Sequence, residues 1–311
     1  MGRRVALAVH PGSGHGTAAR IAGTVAERLR AEVDHLELIS AATPQALRDS
    51  VTACRSAGLD ALVVVGGDGA AHQAVQCCAG TEVALGLVPS GTGNDFARAL
   101  GVPGRPGEAV TALLSALRGG SDRTVDLGRV DGDDPGSSRW FGTVLCTGFD
   151  AAVNARANRL PWPSGPRRYD AALLRELLSL RPRPVVVDTD AGSVRVSATL
   201  VAVGNTPFYG GGVPICPSAR PDDGVFDVTV VGRVSRTRLA RILPRLRTGQ
   251  HVRHPAVHTL RATRVRIEGA AGTEGTAEWP VFADGDPLGA LPVNATCVPA
   301  ALRVLACPQL P

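Results

Sequence analysis

The sequence predicts a two-domain protein of the α/β class, with an N-terminal three-layer α/β domain over residues 1–125 and a larger β-rich domain over 126–296. Three observations carry this expectation. In the first 125 residues continuous apolar runs alternate with helical patterns, the signature of a doubly wound parallel sheet covered by helices on both faces. Beyond Val125 the runs shorten and Gly residues punctuate them, as antiparallel strands and their turns require. The chain has 311 residues, more than one domain usually holds.

Val5-Ala6-Leu7-Ala8-Val9 reads as a buried strand, followed by a glycine-rich turn and a helix from Thr17 that places Ile21, Val25 and Leu29 on one face. A second helix is expected over 45–57. The apolar run 61–65 looks like a fully buried parallel strand, and it empties into Gly66-Gly67-Asp68-Gly69. A helix from about Ala71, a strand over 83–88, the turn Pro89-Ser90-Gly91-Thr92-Gly93 and a short helix from Asn94 follow. In the second half strands are expected over 139–146, 185–189, 194–204, 225–231, 257–260 and 264–268. Helices are expected over 168–180 and 236–246, and polar loops over 131–138 and 270–277.

Composition narrows the function. The net charge of +5 and pI near 9.1 suit an anionic ligand or a membrane surface, but the excess is too diluted for a nucleic-acid binder. All 33 basic residues counted with Lys are Arg, because the sequence contains no Lys. That excludes a Walker A loop, the strand Lys of a protein kinase and Schiff-base chemistry. The seven Cys include no C-x-x-C pair, so they read as free thiols rather than a zinc or redox site. The apolar run at Val5 is too short for a signal peptide, and no stretch approaches the ~20 apolar residues of a membrane span. The expectation is a reduced cytoplasmic protein that touches membranes only peripherally.

Gly66-Gly67-Asp68-Gly69 at the end of a strand leaves backbone N–H groups open to phosphate oxygens, and the following helix start adds its positive dipole end. Asp68 is placed to hold magnesium directly or through water. On the other reading the motif is a tight turn with Asp68 as helix N-cap. Two further loops, His10-Pro11-Gly12-Ser13-Gly14-His15-Gly16 and Pro89 to Ala97, follow other strands. In a parallel sheet all three emerge at the carboxyl edge, where open α/β folds bind ligands.

Gly66-Gly67-Asp68-Gly69 together with Pro89-Ser90-Gly91-Thr92-Gly93-Asn94-Asp95-Phe96-Ala97 resembles the diacylglycerol kinase catalytic-domain family. The resemblance continues through Thr147-Gly148-Phe149-Asp150-Ala151, Val203-Gly204-Asn205, 221–228 and Asp284-Gly285-Asp286-Pro287-Leu288. It implies an NAD kinase-like nucleotide-binding domain, a C-terminal β-sandwich, and a chain end at 297–311 that returns to the first domain, with the active site in the cleft between domains. The implied reaction is transfer of the γ-phosphoryl group of ATP to a lipid alcohol.

The resemblance puts ATP on His10, Pro11, Gly12, Ser13, Gly14, Gly66, Gly67, Asp68, Gly69, Ala70, Ala71, His72, Gly91 and Thr92, next to Asn94 and Asp95, with a looser match at Thr43. It implies a structural magnesium on the Asp223 carboxylate and the carbonyls of Arg220 and Val225. Asp284 and Asp286 match the family's catalytic Asp-Gly-Glu, and with Asp68 they are the candidate catalytic residues; by itself Asp-Gly would be a hairpin turn. Three positions depart from the family pattern: His10 replaces a polar residue such as Asn, Ala70 replaces Thr, and Asp286 replaces Glu. The expected partners are ATP and a lipid alcohol, with peripheral membrane contact, no nucleic acid, and a homodimer left open.

Two other readings are weighed against this one. A kinase for a soluble acceptor such as NAD shares the Gly-Gly-Asp-Gly loop but not Gly-Asn-Asp-Phe-Ala. A nucleotide-binding regulator without catalysis fits Ala70 and Asp286 but not the retention of Asp68 and Asp284. Because Asp68 lies on a loop and serves ligand, its loss is expected to stop phosphoryl transfer without unfolding the chain. The Leu-rich segment 156–183 is read as covering the β domain's core rather than docking a membrane.

Overall fold

The structure is a computed structural model and describes residues 3–9, 17–132, 137–148, 182–235, 237–238, 245–270 and 279–305. It divides into two compact units: Met1–Leu127 with Pro221–Asp223 and Val298–Pro311, and Gly128–Arg220 with Gly224–Cys297.

The first unit runs β1 (Arg4–Val9), α1 (Thr17–Arg30), β2 (His35–Ser40), α2 (Pro44–Ser56), β3 (Ala61–Gly66), α3 (Asp68–Cys78), β4 (Ala84–Pro89), α4 (Asp95–Ala99), α5 (Pro106–Gly119) and most of β5 (Arg123–Val130). Its strands lie parallel in the order β2-β1-β3-β4. Every residue of β3 and β4 is buried, as expected of central strands covered on both faces. Alternation sorts their side chains. Val5, Leu7, Val63 and Val65 share a cluster with Val25 and Leu29 of α1 and Val110, Leu113 and Leu117 of α5. The intervening side chains therefore face the opposite layer, to which α2 and α3, packed on each other, belong. Each fully buried aliphatic side chain in these layers is worth roughly 1.5–3 kcal/mol. The order reverses direction at β1 and β3, so the switch point of this sheet lies between the strands that carry two of the glycine-rich loops.

The second unit contains β6 (Arg139–Phe141), β7 (Val144–Gly148), β8 (Arg183–Thr189), β9 (Gly192–Ala198), β10 (Leu200–Gly204), the short pair β11 (Phe208–Tyr209) and β12 (Val213–Pro214), β13 (Phe226–Val231), β14 (Val257–Ala262), β15 (Arg264–Gly269), β16 (Pro280–Ala283), β17 (Asp286–Ala290) and the start of β18 (Val293–Val304). Antiparallel β18, β15, β8 and β9 form one sheet. The other runs β14-β13-β10-β7-β16-β17 and is antiparallel throughout. Val185, Val187 and Ile267 from the first sheet meet Val201, Val203, Val228 and Val230 from the second in one core, where Phe141 stacks on Phe226 at 5.5 Å. A β-sandwich buries alternate residues of each strand in this way. The end of β18 belongs to the first unit, where Val304 pairs in parallel with Leu85.

Several expectations need correction. The helix after the Gly-Gly-Asp-Gly motif starts at Asp68, not near Ala71, so Gly69 and Ala70 belong to its first turn. The run 139–146 is two strands broken at Gly142-Thr143, and 194–204 is two strands broken at Thr199. At that break the chain leaves one sheet for the other, and Thr199 bonds the carbonyls of Val231 (2.7 Å, through its N–H) and Gly232 (2.9 Å, through its hydroxyl). Strands β2, β5, β11, β12 and β16 to β18 and helix α5 have no counterpart among the expected elements. The expected helix over 168–180 lies outside the described residues, as do most of that over 236–246 and the loop over 270–277.

Candidate active site

The first cluster of candidate residues grows from the ends of β3 and β4. Gly66 pairs with Pro89, and Ser90 N–H donates to the Gly66 carbonyl at 2.9 Å. Beyond that point two glycines touch: a Cβ on Gly91 would lie 2.6 Å from the Gly67 Cα, and one on Gly67 would lie 3.1 Å from the Gly91 Cα. Only a residue without a side chain permits this approach. Asn94 adopts the left-handed conformation at φ 54°, which Asn tolerates better than most residues. Its amide closes the turn, accepting from Gly91 N–H at 3.2 Å and donating to the Gly91 carbonyl at 2.8 Å.

Asp68 then joins the two motifs. Its carboxylate accepts the backbone N–H groups of Asn94 at 2.7 Å and Asp95 at 2.6 Å. It therefore closes the start of α4 rather than that of its own helix, whose N-cap, Gly67, makes no side-chain bond. Asp95 and Phe96 are buried, and Asp95 lies 3.9 Å from Arg98. Ala71 and His72 are also buried, whereas Gly69, Gly91 and Thr92 are exposed. A side chain at Gly66 would meet the Ala70 Cβ at 2.4 Å, but one at Gly69 would meet no heavy atom within 4 Å. Gly66, Gly67, Asp68, Ala71 and Asn94 line a small hollow. Thr43 caps α2, accepting from Ala46 N–H at 3.2 Å. His10, Pro11, Gly12, Ser13 and Gly14 lie outside the described residues; the strand they follow, β1, is the neighbour of β3.

The second cluster lies in the β-sandwich unit. Asp284 and Gly285 both have left-handed φ, 54° and 89°, which is the two-residue hairpin turn that joins β16 to β17. The turn also carries a held carboxylate. Asp284 accepts from Gly142 N–H at 2.9 Å, Thr143 N–H at 2.8 Å and Thr143 Oγ1 at 2.6 Å. Asp286 pairs with Ala283 at the other end of the turn and is half-buried. Gly142 and Thr143 are the break between β6 and β7. Their carbonyls are taken by Asn205, whose N–H donates to Thr143 at 2.8 Å and whose Nδ2 donates to Gly142 at 3.0 Å. Asn205 was visible only as part of Val203-Gly204-Asn205, and nothing in the sequence pointed to Thr143.

The expected magnesium ligands are sequence neighbours: Asp223 is grouped with the first unit, and Arg220 and Val225 with the second. Among the described residues no three His, Cys, Asp or Glu side chains gather as a metal site, so a cation here would depend on backbone carbonyls and water. Nucleophilic thiol chemistry is unsupported near the first cluster. Burial pushes the Cys77 thiol up to about 11 and also raises that of Cys78, leaving both protonated at neutral pH.

Known proteins share both halves of this arrangement. Residues 4–130 match the diacylglycerol kinase catalytic domain, and residues 143–306 match the YegS C-terminal NAD kinase beta sandwich-like domain. A diacylglycerol kinase of Mycobacterium tuberculosis (strain CDC 1551 / Oshkosh) is 42% identical over 305 residues, covering 97% of this chain and 94% of the relative. A diacylglycerol kinase of Bacillus subtilis (strain 168) is 27% identical over 224 residues, 70% of this chain and 71% of its own length. The crystal structure of a diacylglycerol kinase from Bacillus anthracis str. Sterne superposes with a TM-score of 0.71 at 21% identity, covering 100% of this chain and 99% of that one, and supports the fold. Fold and site thus define a lipid kinase, a phosphotransferase that uses ATP and an alcohol acceptor. The chain belongs to the diacylglycerol kinase family.

Proposed function

We propose that the acceptor is diacylglycerol, and that residues 1–125 with the chain end 297–311 bind ATP while residues 126–296 receive the lipid. The observation that carries the acceptor is the 42% identity, spanning 97% of this chain, to a protein named diacylglycerol kinase. The acceptor oxygen forms a bond to the γ-phosphorus as the bond from that phosphorus to the β–γ bridging oxygen breaks, and ADP leaves. The hydroxyl proton passes to a carboxylate of the Asp284–Asp286 turn.

The glycine cluster orients the phosphates. Support comes from Gly69, which no packing contact requires to be glycine; its bare backbone in the first turn of α3 leaves room for a phosphate at a helix N-terminus. Ala70 lacks the family's Thr hydroxyl, so backbone N–H groups carry more of that contact here. A structural magnesium fits Asp223 and the carbonyls of Arg220 and Val225, an all-oxygen donor set suited to a hard cation, while Asp68 would serve a separate ion at the phosphates. An ion bound beside Asp68 would supply charge neutralisation on the phosphates. No helix among the described residues is long and apolar enough to cross a membrane. The basic excess, all of it Arg, favours peripheral contact with the bilayer that holds the acceptor.

The test is transfer of labelled phosphate from ATP, with magnesium, to diacylglycerol, a sphingoid base, a polyprenol or NAD. Label should enter diacylglycerol preferentially. Preferential labelling of NAD would replace the lipid reading with a soluble one.

A further inference from the structure

We infer that Thr143 is a positioning residue for phosphoryl transfer, set in place by Asn205, and that it acts by fixing the Asp284 carboxylate. This rests on the reading of Asp284 as a carboxylate that serves the acceptor hydroxyl. The Gly142-Thr143 break has two N–H groups and two carbonyls, and all four are committed. Both N–H groups go to Asp284, and both carbonyls go to Asn205, with Thr206 N–H adding a second bond to Thr143 at 3.2 Å. Asn205 is fully buried, so the break cannot shift without stranding its amide. The Thr143 hydroxyl adds the shortest of the three bonds to Asp284, 2.6 Å. A hydrogen bond to an ionised acceptor is shorter and stronger than a neutral one. Hence a carboxylate at the tip of a two-residue turn is held from the neighbouring strand ends in one fixed orientation, and a fixed orientation is what makes a proton acceptor efficient.

The molecule contains its own control. At the turn between β8 and β9, Asp190 accepts from Thr263 N–H at 3.0 Å and Thr263 Oγ1 at 2.5 Å. The bonds are of the same kind, on an exposed hairpin outside both candidate clusters. Thr263→Val should lower thermal stability and leave turnover alone.

The experiment compares Thr143→Val, Thr143→Ser, Thr263→Val and Asp284→Asn in the full chain, measuring kcat, KM for ATP, ATP binding and melting temperature with a diacylglycerol acceptor. Thr143→Val should lower kcat roughly ten- to a hundredfold, the kinetic equivalent of one hydrogen bond to a charged group. KM and Kd for ATP should stay at wild-type values, and Thr143→Ser should restore most of the turnover. Wild-type kcat in Thr143→Val beside an inactive Asp284→Asn overturns the inference and leaves the role of Asp284 standing. A Thr143→Val loss that merely follows melting temperature, as in Thr263→Val, or that Ser does not repair, overturns it as well. An active Asp284→Asn enzyme instead removes the reading on which the inference rests.

Discussion

At Asp68 the carboxylate expected to serve only ligand also accepts two backbone N–H groups at the start of α4. Losing such a cap costs about 1 kcal/mol, too little to unfold the chain, so the fold should survive with reduced stability. Asp68→Ala should abolish phosphoryl transfer and also lower the melting temperature; an unchanged melting curve would deny the capping role. At the other cluster, Asp284→Asn keeps its shape but offers one acceptor oxygen where Gly142 and Thr143 present three donors. It should retain ATP affinity while turnover falls by ~10² to 10⁴, the range of general acid–base catalysis. Asp286 makes the shorter reach in place of the family's Glu, so Asp286→Glu should be tolerated. Steady-state kinetics beside ATP titration checks both; an inactive Asp286→Glu with an active Asp284→Asn reverses the roles.

Between elements, the glycines separate packing from binding. Gly91→Ala drives a Cβ to 2.6 Å from the Gly67 Cα, whereas Gly69→Ala meets nothing within 4 Å. The first should cost roughly 1–3 kcal/mol by forcing the two turns apart, seen as an earlier thermal transition. The second should leave the transition in place and weaken ATP binding; unaltered affinity would take Gly69 off the phosphates. The same contrast explains what the sequence made legible. Gly66-Gly67-Asp68-Gly69 and the turn after β4 were readable because apolar runs and glycines are local signals. The bond from Asp68 to Asn94 is not local, nor is that from Asp284 to Thr143, 141 positions away. The run 139–146 looked like one strand because only Gly142 and Thr143 interrupt it, and those two residues hold Asp284. Strand β2 was missed because it is an edge strand with mixed exposure, His35 and Glu37 interleaving its Leu residues. Helix α5 had a usable signal, Pro106 at its first turn and Gly120 in the left-handed C-cap, the asymmetry that brackets helices.

For the whole molecule, neither unit is one continuous stretch of sequence, since 221–223 and the end of β18 group with the first. Stability is thus best probed on the intact chain, and its pH dependence has an identifiable origin. His251 is fully buried on a short 3₁₀ turn, with Nε2 3.0 Å from the Ile215 carbonyl. Burial is the larger influence on its imidazole and lowers its pKa from 6.5, against a smaller opposing effect of the Ile215 bond. The unfolded chain therefore binds a proton there at a higher pH than the folded one does. The stability this neutral His contributes is complete above about pH 6.5 and is lost as pH falls towards the depressed folded value. Asp190 adds a second, more acidic loss: the Thr263 hydroxyl holds its carboxyl below 3.8, so its contribution is present above that pH and declines beneath it. His251→Gln keeps a donor for Ile215 and cannot titrate. In denaturant unfolding between pH 7.5 and 5, wild type should lose stability with a slope of at most about 1.4 kcal/mol per pH unit from this one group. The Gln variant should show a shallower slope over the same interval, and equal slopes in the two proteins would mean that His251 is not the residue that charges on unfolding.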